Sequence, residues 1–172
     1  MPEEAPYFRE VQKFRQIWIW LVVALVGIVS WWGFIEQVIL GREFGDRPAP
    51  DGVLVVVWLL FGIGFPWLFT SFRLETEVRS DGLHVRFFPF HFRFEHHPMH
   101  EIEHWEAKTY RPIREYGGWG LRRGWSGGKA YNVSGNRGVE LELAGGQKFL
   151  IGSQRAEELA AALDRARDAG SG

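Results

Sequence analysis

Two windows of this chain carry no formally charged residue: Gln16 to Ile35, 20 residues, and Gly52 to Phe72, 21 residues. At about 1.5 Å rise per residue each makes a helix roughly 30 Å long, which matches the hydrocarbon core of a bilayer. Trp18 and Trp20 stand at one end of the first window and Trp31 and Trp32 toward the other, while Trp67 lies near the end of the second. That is the distribution of interfacial aromatic belts. A secretory signal would need a shorter apolar core and a small-residue cleavage site, and Ser30-Trp31-Trp32-Gly33 does not supply one. The alternative, two buried core helices, asks for a larger core than so short a soluble chain can build around them. The windows therefore predict a transmembrane hairpin over 16–72, with spans at about 16–35 and 52–72.

Outside these windows the chain is ordinary. It has 20 Lys and Arg against 21 Asp and Glu, a formal net charge of -1 and no cysteine. The missing cysteines exclude disulfide scaffolds, thiol catalysis, cysteine zinc sites and iron–sulfur clusters. The near-neutral charge argues against a nucleic-acid partner, and 24% charged residues argue against bulk disorder.

The segment from Glu36 to Asp51 is short and holds Gly41, Gly45, Pro48 and Pro50, so the two spans are expected to run antiparallel. Pro66, after Gly62 and Gly64, is expected to kink or loosen the second span, a distortion tolerated where a neighbour supplies a partner for the freed carbonyl. Arg9, Lys13 and Arg15 precede the hairpin and Arg73 and Arg79 follow it, whereas the connecting loop has only Arg42 and Arg47 beside four acids. The positive-inside rule then places both termini in the cytoplasm of a multi-pass cell-membrane protein. On this division residues 1–15 are a cytoplasmic lead-in, 16–72 the hairpin, 73–169 a polar domain and 170–172 a tail.

In the polar domain the apolar period becomes two. Leu74, Thr76 and Val78 alternate with Arg73, Glu75, Glu77 and Arg79; Ser80-Asp81-Gly82 turns the chain; Leu83, Val85 and Phe87 alternate with His84 and Arg86. Phe92 and Phe94 alternate with His91, Arg93 and Glu95, Tyr131 and Val133 lead into Ser134-Gly135-Asn136, and Val139, Leu141 and Leu143 alternate with Glu140 and Glu142. Gly145-Gly146 then turns into Gln147 to Ile151. These are expected to be short antiparallel strands with one wet face. The last segment is helical: Ser153 is an N-cap candidate, Glu157 and Glu158 sit early, Arg165 and Arg167 sit late, and Ala156, Leu159, Ala160, Leu163 and Ala166 form an apolar stripe. The expected fold class is an α+β membrane protein, a two-helix hairpin followed by a small antiparallel barrel or sheet capped by a C-terminal helix.

Several segments carry a family likeness: Tyr110-Arg111-Pro112, Glu115-Tyr116-Gly117-Gly118-Trp119-Gly120-Leu121-Arg122, Gly138-Val139-Glu140-Leu141, and Gly145 through Ser153 followed by Glu157-Glu158-Leu159. With the order of spans, strands and helix, residues 73–169 resemble the bacterial pleckstrin-homology-like (PH-like) domains that flank membrane spans. The resemblance implies a PH-like fold, which hosts lipid binders, peptide binders and scaffolds alike.

His100-Glu101-Ile102-Glu103-His104 matches H-E-x-x-H, which on a helix presents two imidazoles to zinc and a glutamate to a water. Pro98 and Pro112 leave room for only a short helix, and all six histidines crowd between His84 and His104, which makes an accidental match easy. A strand here would separate His100 and His104 by about 13 Å, too far for one ion. A zinc-dependent membrane hydrolase is thus an alternative, and a gathering of His91, His96, His97 and His100 into a metal or pH-sensing patch is a further one. The reading adopted assigns no catalytic residue, no metal ligand and no cofactor.

The residues singled out for binding lie between Lys108 and Lys129, where six basic residues face one acid among aromatics and glycines. Arg111, Arg114, Trp119, Arg122, Arg123, Trp125 and Lys129 are expected to engage anionic lipid headgroups or a membrane protein partner from a glycine-rich loop, or a hairpin with a mobile tip. A third expectation is a small accessory subunit of a larger membrane complex. Asn132-Val133-Ser134 matches the glycosylation triplet, which a cytoplasmic placement would leave silent.

Overall fold

The computed structural model describes residues 5–123 and 128–170, apart from the side chain of Arg123. The chain divides into two compact units: residues 14–72, and the residues on either side of them.

The first unit is the apolar hairpin. Helix α1 (Ile17–Ile39) and helix α2 (Asp51–Ser71) have mean hydropathies of 2.1 and 2.2, and both are long and apolar enough to cross a membrane. The first runs four residues past the expected boundary, through Glu36, whose carboxylate meets Arg42 at 3.6 Å. No residue of α2 is buried, whereas α1 buries Ile19, Val23, Gly27 and Gly33. Both contain a stretch of wide π-helical turns, Phe34–Ile39 and Trp58–Gly64. The second stretch ends two residues before Pro66, whose missing N–H and ring displace the normal i→i−4 pattern. The expected loosening is therefore present. Aromatic rings fill the seam: Trp58 stacks on Phe34 at 4.2 Å and meets Trp31 edge-on at 5.1 Å. At the loop end, Gln37 donates to Ala49 O at 2.6 Å and to Asp51 Oδ1 at 2.8 Å.

The second unit holds two sheets. The first has four antiparallel strands in the order β1 (Phe8–Lys13), β2 (Arg73–Arg79), β3 (Gly82–Phe88), β4 (Glu95–Pro98). The supposed lead-in is thus its first strand, with Lys13 opposite Arg73 and Phe8 opposite Val78. The helical hairpin is an insertion between two paired strands. Sequence alone hid this, because six residues of alternating pattern ahead of an apolar window look like a flanking tail.

Strand β2 departs from the expectation of one wet face, since Leu74 through Val78 are all buried. Leu74, Thr76 and Val78 point to the core with Leu83, Val85 and Phe87. Glu75 and Glu77, on the other face, are covered by arginines: Glu75 pairs with Arg73 at 2.5 Å and with Arg86 at 2.6 Å, and Glu77 with Arg79 at 2.6 Å and Arg9 at 3.2 Å. Arginine stems shield a central strand while their guanidinium groups satisfy its carboxylates. The strand expected over Phe92 to Glu95 begins only at Glu95; residues 89–94 form a loop.

The second sheet has the order β5 (Ile102–Thr109), β8 (Arg137–Leu143), β9 (Gln147–Gly152), β7 (Lys129–Asn132), β6 (Gly120–Arg123). Most pairs are antiparallel, but β7 and β9 run parallel, which corrects the all-antiparallel expectation. The chain turns at 133–136 and places β8 one strand away from β7, so β9 fills the space between. Val139, Leu141 and Ile151 face the shared core, and Tyr110, Ala130 and Leu150 form a second cluster with Tyr116 packed against it.

Helix α4 (Ala156–Gly170) lies against strands of both sheets and buries Ala156, Leu159, Ala162, Leu163 and Ala166. Ala162 is buried and Ala160 only half-buried, a rotation of the expected stripe by a fraction of a turn. Ser153 closes the preceding turn by accepting from Arg155 N at 3.0 Å and donates to Glu10 at 2.6 Å. With Gln12 donating to Gly152 O at 2.7 Å, buried polar groups tie β1 to the far end of the sequence.

Candidate functional site

The glycine-rich stretch, expected to be a loop or a hairpin, is built of a short helix and a pair of strands. Helix α3 (Pro112–Tyr116) starts with proline in its first turn, and the N-cap residue Arg111 donates its backbone N–H to Glu115 Oε1 at 2.8 Å. It ends at Gly117, whose φ of 70° is left-handed and costs little without a Cβ. Strands β6 and β7 follow as a hairpin. Trp119 is half-buried and donates to Gly135 O at 3.1 Å.

A cleft of about 640 Å³ opens between this hairpin and the β3–β4 connection. Its lining comprises His91, Arg93, Phe94 and Glu95 from one side and Leu121, Arg122, Lys129 and Tyr131 from the other. Of the residues singled out in the sequence, Arg122 and Lys129 belong to it. Arg111 and Arg114 are exposed on α3 and do not line it, and Trp119 does not either. Trp125 and the side chain of Arg123 lie outside the described residues.

Tyr131 and Glu95 set the electrostatics of the cleft. The Tyr131 hydroxyl donates to Glu95 Oε2 at 2.6 Å, and Lys129 Nζ stands 3.6 Å from Glu95 Oε1. Burial would raise the Glu95 carboxyl, but the Tyr131 hydrogen bond and the charges of Lys129, His97 and His91 outweigh it and hold it below its usual range. Burial and the neighbouring carboxylate push the Tyr131 phenol far above its usual value, so it stays a donor. The lining has three basic side chains against one acid, and His91 Nδ1 is buried there with no hydrogen-bond partner among the described residues. Such a lining suits an anion of moderate size.

On either side of His91 in the chain, Phe90 and Phe92 are 60% and 76% exposed, which sets them apart from the buried rings of this unit. Their loop follows Phe88, which pairs with Arg73, and Arg73 pairs with Lys13. The exposed phenylalanines therefore sit at the end of the sheet where the chain leaves for α1 and returns from α2. Sequence reasoning missed this loop because Phe-His-Phe-Arg-Phe alternates as a strand does; Pro89 was the available signal.

The H-E-x-x-H segment does not form one helix. Met99–Glu101 is a single 3₁₀ turn and Ile102–Thr109 is strand, so His100 and His104 do not share a helical face. Nor do His91, His96, His97 and His100 converge: His91 lies against Tyr131 and His97 against Phe149.

Among known proteins the sequence matches the family of unknown function DUF6141 over residues 1–169. The chain is a member of DUF6141. The DUF6141 match covers β1, the hairpin and both sheets without interruption, so insertion and host belong to one family architecture. No curated protein and no solved structure matches the chain.

Proposed function

We propose that this chain is a membrane-anchored binding module without catalytic activity, a PH-like domain held at the cytoplasmic face by the inserted hairpin and engaging anionic, phosphate-bearing lipid headgroups. The observation that carries the reading is the coincidence of two features at one end of the first sheet: the attachment points of the apolar helices, Lys13 and Arg73, and the exposed Phe90 and Phe92 beside a basic cleft. Lipid-exposed aromatics next to Lys and Arg are how interfacial segments hold headgroups. Near an anionic leaflet each basic residue contributes about 1 kcal/mol, so Arg93, Arg122 and Lys129 together outweigh Glu95. The basic bias of the flanks over the loop supports the cytoplasmic orientation, and two sheets closed by a C-terminal helix support the PH-like assignment.

Hydrogen exchange on the full chain in nanodiscs tests the binding role. Amides of residues 88–94 should exchange several-fold more slowly in phosphatidylglycerol than in phosphatidylcholine, and high salt or the Arg93→Ala, Arg122→Ala double change should remove the difference. Equal exchange in both lipids would refute the headgroup role.

A further inference from the structure

At the opposite end of the first sheet three side chains converge in a way the headgroup reading does not use. Asp81 occupies the β2–β3 turn, and His84 and His96 face each other directly across β3 and β4. His84 Nε2 lies 2.9 Å from Asp81 Oδ1, and His96 Nε2 lies 3.4 Å from Asp81 Oδ2. The two imidazoles stack with centroids 4.3 Å apart and planes within 13°. Ligand atoms from all three lie within 4.8 Å of one another.

We propose that Asp81, His84 and His96 form a site for one divalent transition-metal ion, with zinc the best fit. Two imidazole nitrogens and one carboxylate oxygen make a donor set that zinc commonly takes. Tetrahedral bonds of about 2.0–2.1 Å put ligand atoms roughly 3.4 Å apart, so small side-chain adjustments admit an ion. The arrangement is pre-built by the backbone. The β-ladder fixes the histidine pair, and Gly82 lets β4 close over the turn: a Cβ there would stand 2.3 Å from His97 O. Asp81 and His96 are 56% and 39% exposed at their side chains, which gives an ion access and leaves its fourth position to water. Bound metal would pin β4, an edge strand of four residues that also carries Glu95 of the cleft, to the β2–β3 hairpin. Four residue steps of strand, about 13 Å, separate His84 from Phe88, where the loop bearing Phe90 and Phe92 begins.

The test is equilibrium dialysis of tag-free, EDTA-stripped full chain in detergent against micromolar zinc chloride, followed by elemental analysis. Wild type should take up one zinc per chain and melt at a higher temperature with it. Asp81→Asn, His84→Ala and His96→Gln should each weaken uptake at least about tenfold, whereas the His100→Ala, His104→Ala double change should leave it intact. Cobalt in place of zinc should give a visible spectrum that shows imidazole ligation. No uptake by wild type, undiminished uptake by the Asp81 and His84 variants, or loss on changing His100 and His104 would each overturn the assignment.

Discussion

The indole N–H of Trp31 in α1 donates to the carbonyl oxygen of Gly62 in α2 at 3.2 Å. Gly62 lies in the π-helical stretch just before Pro66, which has no N–H to offer the carbonyls of the preceding turn. A side chain from the neighbouring helix supplies a donor to that turn. Trp31→Phe should therefore weaken the hairpin by about 1 kcal/mol, measured as unfolding in mixed detergent, and Pro66→Ala should offset part of that loss. Gly62→Ala should be at least as damaging, because its Cβ would meet Trp58 at 2.9 Å and Trp31 at 3.4 Å.

Excising 14–72 and joining Lys13 to Arg73 through Asn-Gly should yield a folded, water-soluble domain, since those residues already face each other as a hairpin pair. Circular dichroism should show mainly strand with one helix. Removing β1 as well should destabilise the domain strongly, because Glu77 loses Arg9 and the turn at Ser153 loses Glu10. Equal stability of the two variants would contradict the role given to β1.

Alkaline pH should destabilise the second unit. Burial, with the charges of Glu140 and Glu115 behind it, raises the Tyr116 phenol to about 12, and burial raises Tyr110 as well. An unfolded tyrosine releases its proton near pH 10. Above that value the unfolded chain binds fewer protons than the folded one, so stability falls as pH rises from about 10 through about 12. Tyr116→Phe should flatten that fall, read as the denaturant midpoint against pH.

A reporter active only outside the cytoplasm should be silent when fused after Gly172 and active when inserted near Gly45. The opposite pattern would put the domain outside and make the Asn132-Val133-Ser134 triplet available for modification.

Sequence pattern revealed the two apolar helices, the β2–β3 hairpin, the β8–β9 hairpin and the terminal helix, because each of these is a local period with local turn chemistry. It did not reveal what depends on distant partners. Strand β1 finds its ladder 60 positions later, at Arg73. Glu75 and Glu77 look solvent-facing until Arg9, Arg73, Arg79 and Arg86 are seen over them. Charge density drew attention to Arg122 and Lys129, yet the opposite wall of their cleft comes from a loop whose alternating phenylalanines imitate a strand. Likewise, the spacing of His100 and His104 was conspicuous in one dimension, while His84 and His96, 12 positions apart, meet only through register.

The insertion of α1 and α2 between two paired strands has a consequence for biogenesis. In the proposed membrane placement, β1 emerges before β2 and has no partner until 59 intervening residues have been made and threaded into the bilayer. Its buried Glu10 and Gln12 stay hydrated until the chain returns to the same side with β2 and finally supplies Gly152 and Ser153. A chain that inserts only one of its two helices leaves β1 and β2 on opposite faces of the membrane, where they cannot pair. In that placement, completion of the sheet requires both segments to cross, so correct membrane topology and a finished fold become a single cooperative event.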